Sequence, residues 1–254
     1  MSFPVSIFNI SPMKSGTQWF YYAIKEHPEV SLAVLYQCYK TDAGKDIRFF
    51  NKTQIESYLP YESLFRENGV KIDISPSYSQ DYLLTSKNIY EYNPNAKFII
   101  VVRDPVERAI SQYKYEICSP AKAKRNKKFP KLPDFQTAFT NDFRNIRKNG
   151  MIGNCINSYL NFFPRQNFLI IRFEDFAKHN LRFLITVLEF MKINTDFRPK
   201  VLMADYWNRI KQKYYGNEQK KQAIELPNID FVTEYYQSQN RILKRIQYDE
   251  LSCL

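Results

Sequence analysis

Residues 97–113 read KFIIVVRDPVERAISQY. Phe98 to Val102 form a continuous apolar run, suited to a strand covered on both faces in a parallel sheet. Asp104 and Pro105 then supply an N-cap and a first helical residue, and Val106, Ala109, Ile110 and Tyr113 continue at helical spacing. Toward the N-terminus, VKIDI at 70–74 predicts a second strand before Ser75-Pro76, and FPVSIFNI at 3–10 a third, broken by Ser11-Pro12. Thr17 to Lys25 carries helical spacing after that break. Toward the C-terminus, NFLIIR at 167–172 predicts a strand and residues 180–192 a helix. Strands alternating with helices imply an α/β class with a central, mainly parallel sheet flanked by helices. No internal repeat or low-complexity linker divides the chain, so a single domain over residues 1–254 is expected.

The composition narrows the partners. The 254 residues carry 37 Lys and Arg against 26 Asp and Glu, a net charge of +11, which points to an anionic ligand. Aromatic residues make up 16% of the chain, enough apolar surface to exclude intrinsic disorder. Cys38, Cys118, Cys155 and Cys253 are widely spaced, with no C-x-x-C and no histidine at metal-ligand spacing. They read as reduced thiols rather than a disulfide framework. No basic segment precedes an apolar stretch at the N-terminus, and no apolar run approaches membrane-spanning length. A soluble, cytoplasmic protein without a membrane partner is therefore expected; periodicity says nothing about oligomeric state.

Two segments carry chemistry. The first, SPMKSGTQW at 11–19, lies between a strand and a helix. A turn of this kind aims backbone N–H groups and the positive helix end at one point, where an anion is stabilised. Lys14 adds a full charge, and Ser15 and Thr17 add hydroxyls. The order is not that of a Walker A loop, because Lys14 precedes Gly16 by two residues. The second is the end of the 97–113 stretch. Arg103 falls at the carboxyl end of a buried strand, the edge where open α/β sheets bind ligands, and Ser111 lies six residues beyond Pro105 in the following helix. Each segment also has a plain structural reading: an ordinary βα turn with an exposed lysine for the first, and an ion pair of Arg103 with Asp104 or Glu107 for the second.

Together the segments match a family. PMKSGTQW resembles the PxKSGTxW loop of the sulfotransferases, and VVRDPVERAISQY resembles their second nucleotide motif. KDIRFF at 45–50, DISPSY at 73–78 and the FP…IRFED pattern of Phe163 to Asp175 resemble the KExxFF, EKSPxY and FP…LRFEDL segments of the branch containing heparan sulfate and many bacterial sulfotransferases. Tyr235-Tyr236 and Asn240 to Leu243 are similar to the family's terminal helix. The resemblance implies a P-loop-like three-layer sandwich. It also implies 3′-phosphoadenosine 5′-phosphosulfate (PAPS) as donor, 3′-phosphoadenosine 5′-phosphate (PAP) as product, and no metal. By the same resemblance Lys14, Ser15, Gly16, Thr17 and Gln18 surround the 5′-phosphosulfate, with Trp19 among the donor-binding residues, while Arg103 and Ser111 hold the 3′-phosphate. Lys14 is then placed to neutralise charge on the leaving oxygen.

An acceptor hydroxyl must also lose a proton. The family's glutamate in KExxFF is Asp46 here, one methylene shorter, and its glutamate in EKSPxY is Asp73, where the adjacent lysine has become Ile74. Both are candidate bases. Asp46, Arg48, Phe49 and Tyr78 are expected to contact the acceptor, a small molecule or a glycan. Other branches use a histidine base, but His27 and His179 read as structural. Gly150, before Met151 to Gly153, is similar to the family's GxY turn without its aromatic. The basic run at 122–131 and the Lys- and Tyr-rich stretch at 205–225 read as loops or lids. A nucleotide-dependent kinase is disfavoured by the missing Walker order. A basic nucleotide- or nucleic-acid-binding module remains the non-enzymatic alternative, though no recognition helix or zinc module accompanies the charge and no nucleic acid partner is expected.

Overall fold

The computed structural model describes residues 4–33, 46–118, 133–215, 224, 226 and 229–252. Five strands form one sheet: β1 (Ile7–Asn9), β2 (Val30–Leu32), β3 (Val70–Ile74), β4 (Lys97–Val102) and β5 (Phe168–Arg172). Their order is β2-β3-β1-β4-β5, and every pairing is parallel. The helices are α1 (Thr17–Ile24), α2 (Leu59–Glu62), α3 (Tyr82–Tyr92), α4 (Pro105–Cys118), α5 (Phe135–Thr140), α6 (Ile152–Leu160), α7 (Phe173–Lys178), α8 (Asn180–Met191), α9 (Ala204–Tyr215), α10 (Asp230–Tyr235) and α11 (Gln237–Leu243).

Strand alternation sorts the side chains into two cores. Ile7, Ile72, Ile74, Ile99, Val101, Leu169 and Ile171 face a layer holding Trp19, Phe20 and Ala23 of α1 and Phe183, Leu184 and Val187 of α8. Phe8, Phe98, Ile100, Phe168 and Ile170 face the opposite layer, with Ile89 of α3 and Ile156 and Tyr159 of α6. On that face the register sets Phe8 beside Phe98 and Phe98 beside Phe168. The rings stack across three strands, with centroids 5.9 Å and 5.0 Å apart. Such contacts add to the free energy of burying each ring. A third cluster joins Val106, Ala109 and Tyr113 of α4 to Phe135 and Phe139 of α5 and to Val232 and Tyr236.

The sequence reading meets this architecture at most strands and departs from it in places. The strands expected at 70–74 and 97–102 have those bounds, and the one expected at 3–10 narrows to Ile7–Asn9. β2 was not expected: three residues are too few to show a period. The stretch at 205–225 is corrected in part, because Ala204–Tyr215 is a helix rather than a loop. Its Tyr206, Trp207 and Ile210, at helical spacing, pack on the α1 layer, an amphipathic stripe that the surrounding lysines and polar residues obscure. Lys45, Cys38, Cys253 and the basic run at 122–131 lie outside the described residues. Among the described residues no disulfide involves Cys118 or Cys155, and burial pushes the pKa of Cys155 up. Among the described residues, no helix is long and apolar enough to cross a membrane.

Candidate active site

The chain leaves β1 toward β2 on one side of the sheet and leaves β4 toward β5 on the other. The carboxyl ends of β1 and β4 therefore flank the topological switch point, where open α/β sheets form a ligand crevice. The loop after β1 is stitched to β4 before it turns: Ile10 N donates to Ile99 O at 3.2 Å, and Val101 N donates to Ser11 Oγ at 2.8 Å. Ser15 N then donates back to Pro12 O at 3.2 Å. Gly16 is the N-cap of α1 with φ 84°, a left-handed conformation that favours glycine. A Cβ there would also stand 2.6 Å from Phe176 Cε1. Among the described residues no side chain caps the N-terminus of α1, the end of a helix where anions are favoured. The Ser15 hydroxyl is buried without a hydrogen-bond partner among the described residues.

Arg103 enters this crevice from the end of β4. Its Nη1 donates to Lys14 O at 3.1 Å, its guanidinium carbon lies 4.6 Å from the Phe173 ring centroid, and its Nη2 is 4.0 Å from Glu107 Oε2. Burial lowers the Arg103 pKa while Glu107, Glu174 and Asp104 oppose that shift; a guanidinium keeps its charge in proteins. The Lys14 ammonium sits 4.3 Å from the centroid of the Tyr115 ring, a cation–π contact from α4. Ser111 stands one helical turn before Tyr115 on that helix, so both project from one face. Asp104 Oδ1 accepts from Val106 N and Glu107 N, each at 2.9 Å, capping α4 as its sequence predicts.

These groups bound a cleft of about 260 Å³ that includes Lys14, Gly16, Trp19, Arg103 and Ser111. Ser15, Thr17 and Gln18 are buried in the loop and first turn behind it. The opposite wall went unread in the sequence: Phe173, Phe176 and Asn180 from α7 and α8, and Trp207 and Lys211 from α9. The spacing of Trp207 and Lys211 by four was the available signal, since it places an aromatic plane and a cation on one helical face.

The carboxylates lie one strand to the other side of β1. Asp73 is fully buried, accepting from Tyr61 Oη at 2.9 Å, Tyr78 Oη at 2.8 Å and Ser75 Oγ at 2.6 Å. Desolvation raises its pKa to about 6, against the lowering effect of those three hydroxyls. Asp46 is partly exposed: its Oδ1 accepts from Ser77 N at 3.1 Å, and its Oδ2 lies 2.8 Å from Arg48 Nη2. Asp46 N donates to Ile74 O at the carboxyl end of β3, and Ile74 is the register partner of Asn9 in β1. Arg48 is largely exposed. Tyr78 is fully buried, and Phe49 is buried against Tyr61, 4.7 Å between ring centroids. The rings of Tyr78 and Phe49, both expected to contact the acceptor, belong to the aromatic core that includes Tyr61.

None of the remaining candidates lines the cleft. His27 is buried, its Nε2 2.9 Å from Asn194 O and its Nδ1 accepting from Glu29 N at 3.1 Å. His179 is exposed at the junction of α7 and α8. Gly150 makes room for Tyr236, whose ring would lie 2.3 Å from a Cβ at that position. Among the described residues, no three His, Cys, Asp or Glu side chains gather as a metal site.

The comparison with known proteins agrees with this geometry. A sulfotransferase domain matches residues 4–241, and the chain belongs to that family. It is 33% identical over 128 residues to membrane-associated sulfotransferase kil1 of Dictyostelium discoideum, across 48% of this chain and 24% of that protein. It is 25% identical over 181 residues to heparan sulfate glucosamine 3-O-sulfotransferase 6 of Mus musculus, across 66% of this chain and 46% of that protein. The matches thus span less than half the length of these relatives. Among solved structures, a sulfotransferase from Alicyclobacillus acidocaldarius aligns with TM-score 0.60 and 21% identity over 88% of this chain and 96% of its own. The fold is the P-loop-like α/β fold of these enzymes.

Proposed function

We propose that the protein transfers the sulfonate of PAPS to a hydroxyl or amine of a carbohydrate or small-molecule acceptor. The observation that carries this reading is the meeting of the Lys14 loop and Arg103 across the β1–β4 crevice, joined by the bond from Arg103 to Lys14 O. A donor with phosphates at both its 3′ and 5′ positions needs two anion sites, and the crevice offers two. Arg103 and Ser111 form one, suited to the 3′-phosphate. The first-turn N–H groups of α1, with Lys14, Ser15, Gly16, Thr17 and Gln18, form the other. Trp19 and Trp207 supply apolar planes for a purine.

The donor brings an already activated sulfonate, so the protein's task is alignment and charge stabilisation. Lys14 neutralises the oxygen that departs with the nucleotide. Asp46, partly exposed at the carboxyl end of β3, accepts the proton released by an acceptor hydroxyl. One of these relatives is named for heparan sulfate glucosamine, and the net charge of +11 suits an anionic acceptor of that kind. The test is to incubate the full chain with PAPS and candidate acceptors and to follow release of PAP. Release that depends on Lys14 supports the reading. Tight PAP binding with no transfer to any acceptor or water would favour a binding module instead.

A further inference from the structure

We infer that Asp73 is a positioning residue that acts through Ser75 to hold the loop presenting Asp46. The inference rests on the proposed role of Asp46 as base, and it gives the buried carboxylate a purpose other than proton transfer.

A fully buried carboxylate is costly unless its oxygens are satisfied. The three donors that satisfy Asp73 are neutral hydroxyls, two tyrosines on Oδ2 and Ser75 on Oδ1. None of them opens a path to solvent, and Asp73 itself is sealed. Of the three, Ser75 is the hydroxyl that also bonds the 46–48 loop, while the Tyr78 hydroxyl reaches the Phe50 backbone. A hydroxyl has one proton and two lone pairs, and an ionised carboxylate accepts only. With its proton committed to Asp73, Ser75 must present a lone pair elsewhere, and Ile47 N donates to it at 2.9 Å.

That bond is one of three ties between the 46–48 loop and residues 74–77. Asp46 N donates to Ile74 O, Ile47 N donates to Ser75 Oγ, and Asp46 Oδ1 accepts from Ser77 N. The loop needs such ties, because Asp46 and Arg48 both have φ 59°, a left-handed conformation costly for residues with a side chain. Two of the ties are fixed by backbone groups and by Asp46 itself. The third depends on which way the Ser75 hydroxyl points, and Asp73 sets that direction. An asparagine at 73 could turn its amide N–H toward Ser75, which would free the hydroxyl proton to face the Ile47 N–H and break the tie.

The test uses the full chain with water as the acceptor, following release of PAP from PAPS. Ser75→Ala and Asp73→Asn are expected to lower kcat about tenfold, the scale of one hydrogen bond, with KM for PAPS within about twofold because the donor site is separate. Ser75→Thr, which keeps the hydroxyl, restores the rate. In an Asp46→Asn background Ser75→Ala costs nothing further, since both act through one group. Additive losses, or an unchanged kcat in Ser75→Ala, overturn the inference. Hydrogen exchange of the Ile47 amide is a readout independent of turnover, and it should quicken about tenfold in Ser75→Ala; unchanged exchange also overturns it. If Asp46→Asn leaves turnover intact while Ile47 exchange responds, the base assignment fails and the hydrogen-bond tie survives.

Discussion

At the β1–β4 crevice, Lys14 and Arg103 stand partly open, each against an aromatic face and joined through the Lys14 carbonyl. On the other side of β1, Asp73 is sealed among aromatic rings and served by hydroxyls alone. The Arg103 guanidinium keeps its charge, with Glu107, Glu174 and Asp104 opposing the effect of burial. The carboxylate keeps its place through hydrogen bonds but loses acidity, with a pKa near 6. The difference separates two tasks: the crevice is arranged to receive an anion, while the nest beside β3 is already satisfied and supports its neighbours.

The sharpest way to break this contrast is Lys14→Ala. Loss of one charge-stabilising donor should lower the rate of PAP release about 10²- to 10³-fold, while circular dichroism and melting remain those of the native chain. A loss of folding instead would make Lys14 structural. The next effect belongs to the buried side. The folded pKa of Asp73 lies above the ordinary value of 3.8, so the folded state binds more protons between about pH 4 and pH 6, and stability from this group falls as pH rises through that window. Urea unfolding of wild type and Asp73→Asn should show their stability difference moving by about 2 kcal/mol in favour of the variant between pH 4 and pH 7. A difference independent of pH would mean that Asp73 titrates as an ordinary carboxylate. The smallest effect is expected at Gly16→Ala, where the left-handed φ and the contact with Phe176 should cost about 1–2 kcal/mol by the same unfolding method; PAP affinity should fall as well, because the loop is the binding element.

The two regions also differ in how far they could be read from sequence. Lys14, Arg103 and Ser111 were legible because each sits beside a strong local signal, a strand end or an Asp-Pro helix start, and the sheet topology does the rest. Asp73 was visible as a carboxylate in a strand, but its partners were not. Tyr61 is 12 residues away in a single-turn helix, and nothing in its local pattern points at β3. Tyr78 and Phe49 are expected from their neighbours to contact the acceptor, and their burial in the aromatic core was not legible from those neighbours. Trp207 and Lys211 were hidden by a lysine-rich stretch whose apolar stripe is narrow. Strand ends follow local periodicity, whereas a hydroxyl nest forms only after distant segments have packed.

We propose one crevice, built from the Lys14 loop and Arg103, for a nucleotide carrying phosphates at both ends of its ribose. Titration calorimetry of the full chain with PAP, beside AMP and ATP, tests it most directly. PAP should bind much more tightly than either, and Arg103→Ala should weaken PAP about 10- to 100-fold, the scale of a lost charge-assisted bond, while leaving AMP nearly unchanged. Equal affinity for ATP and PAP, or an Arg103→Ala variant that binds PAP as the wild type does, would contradict it.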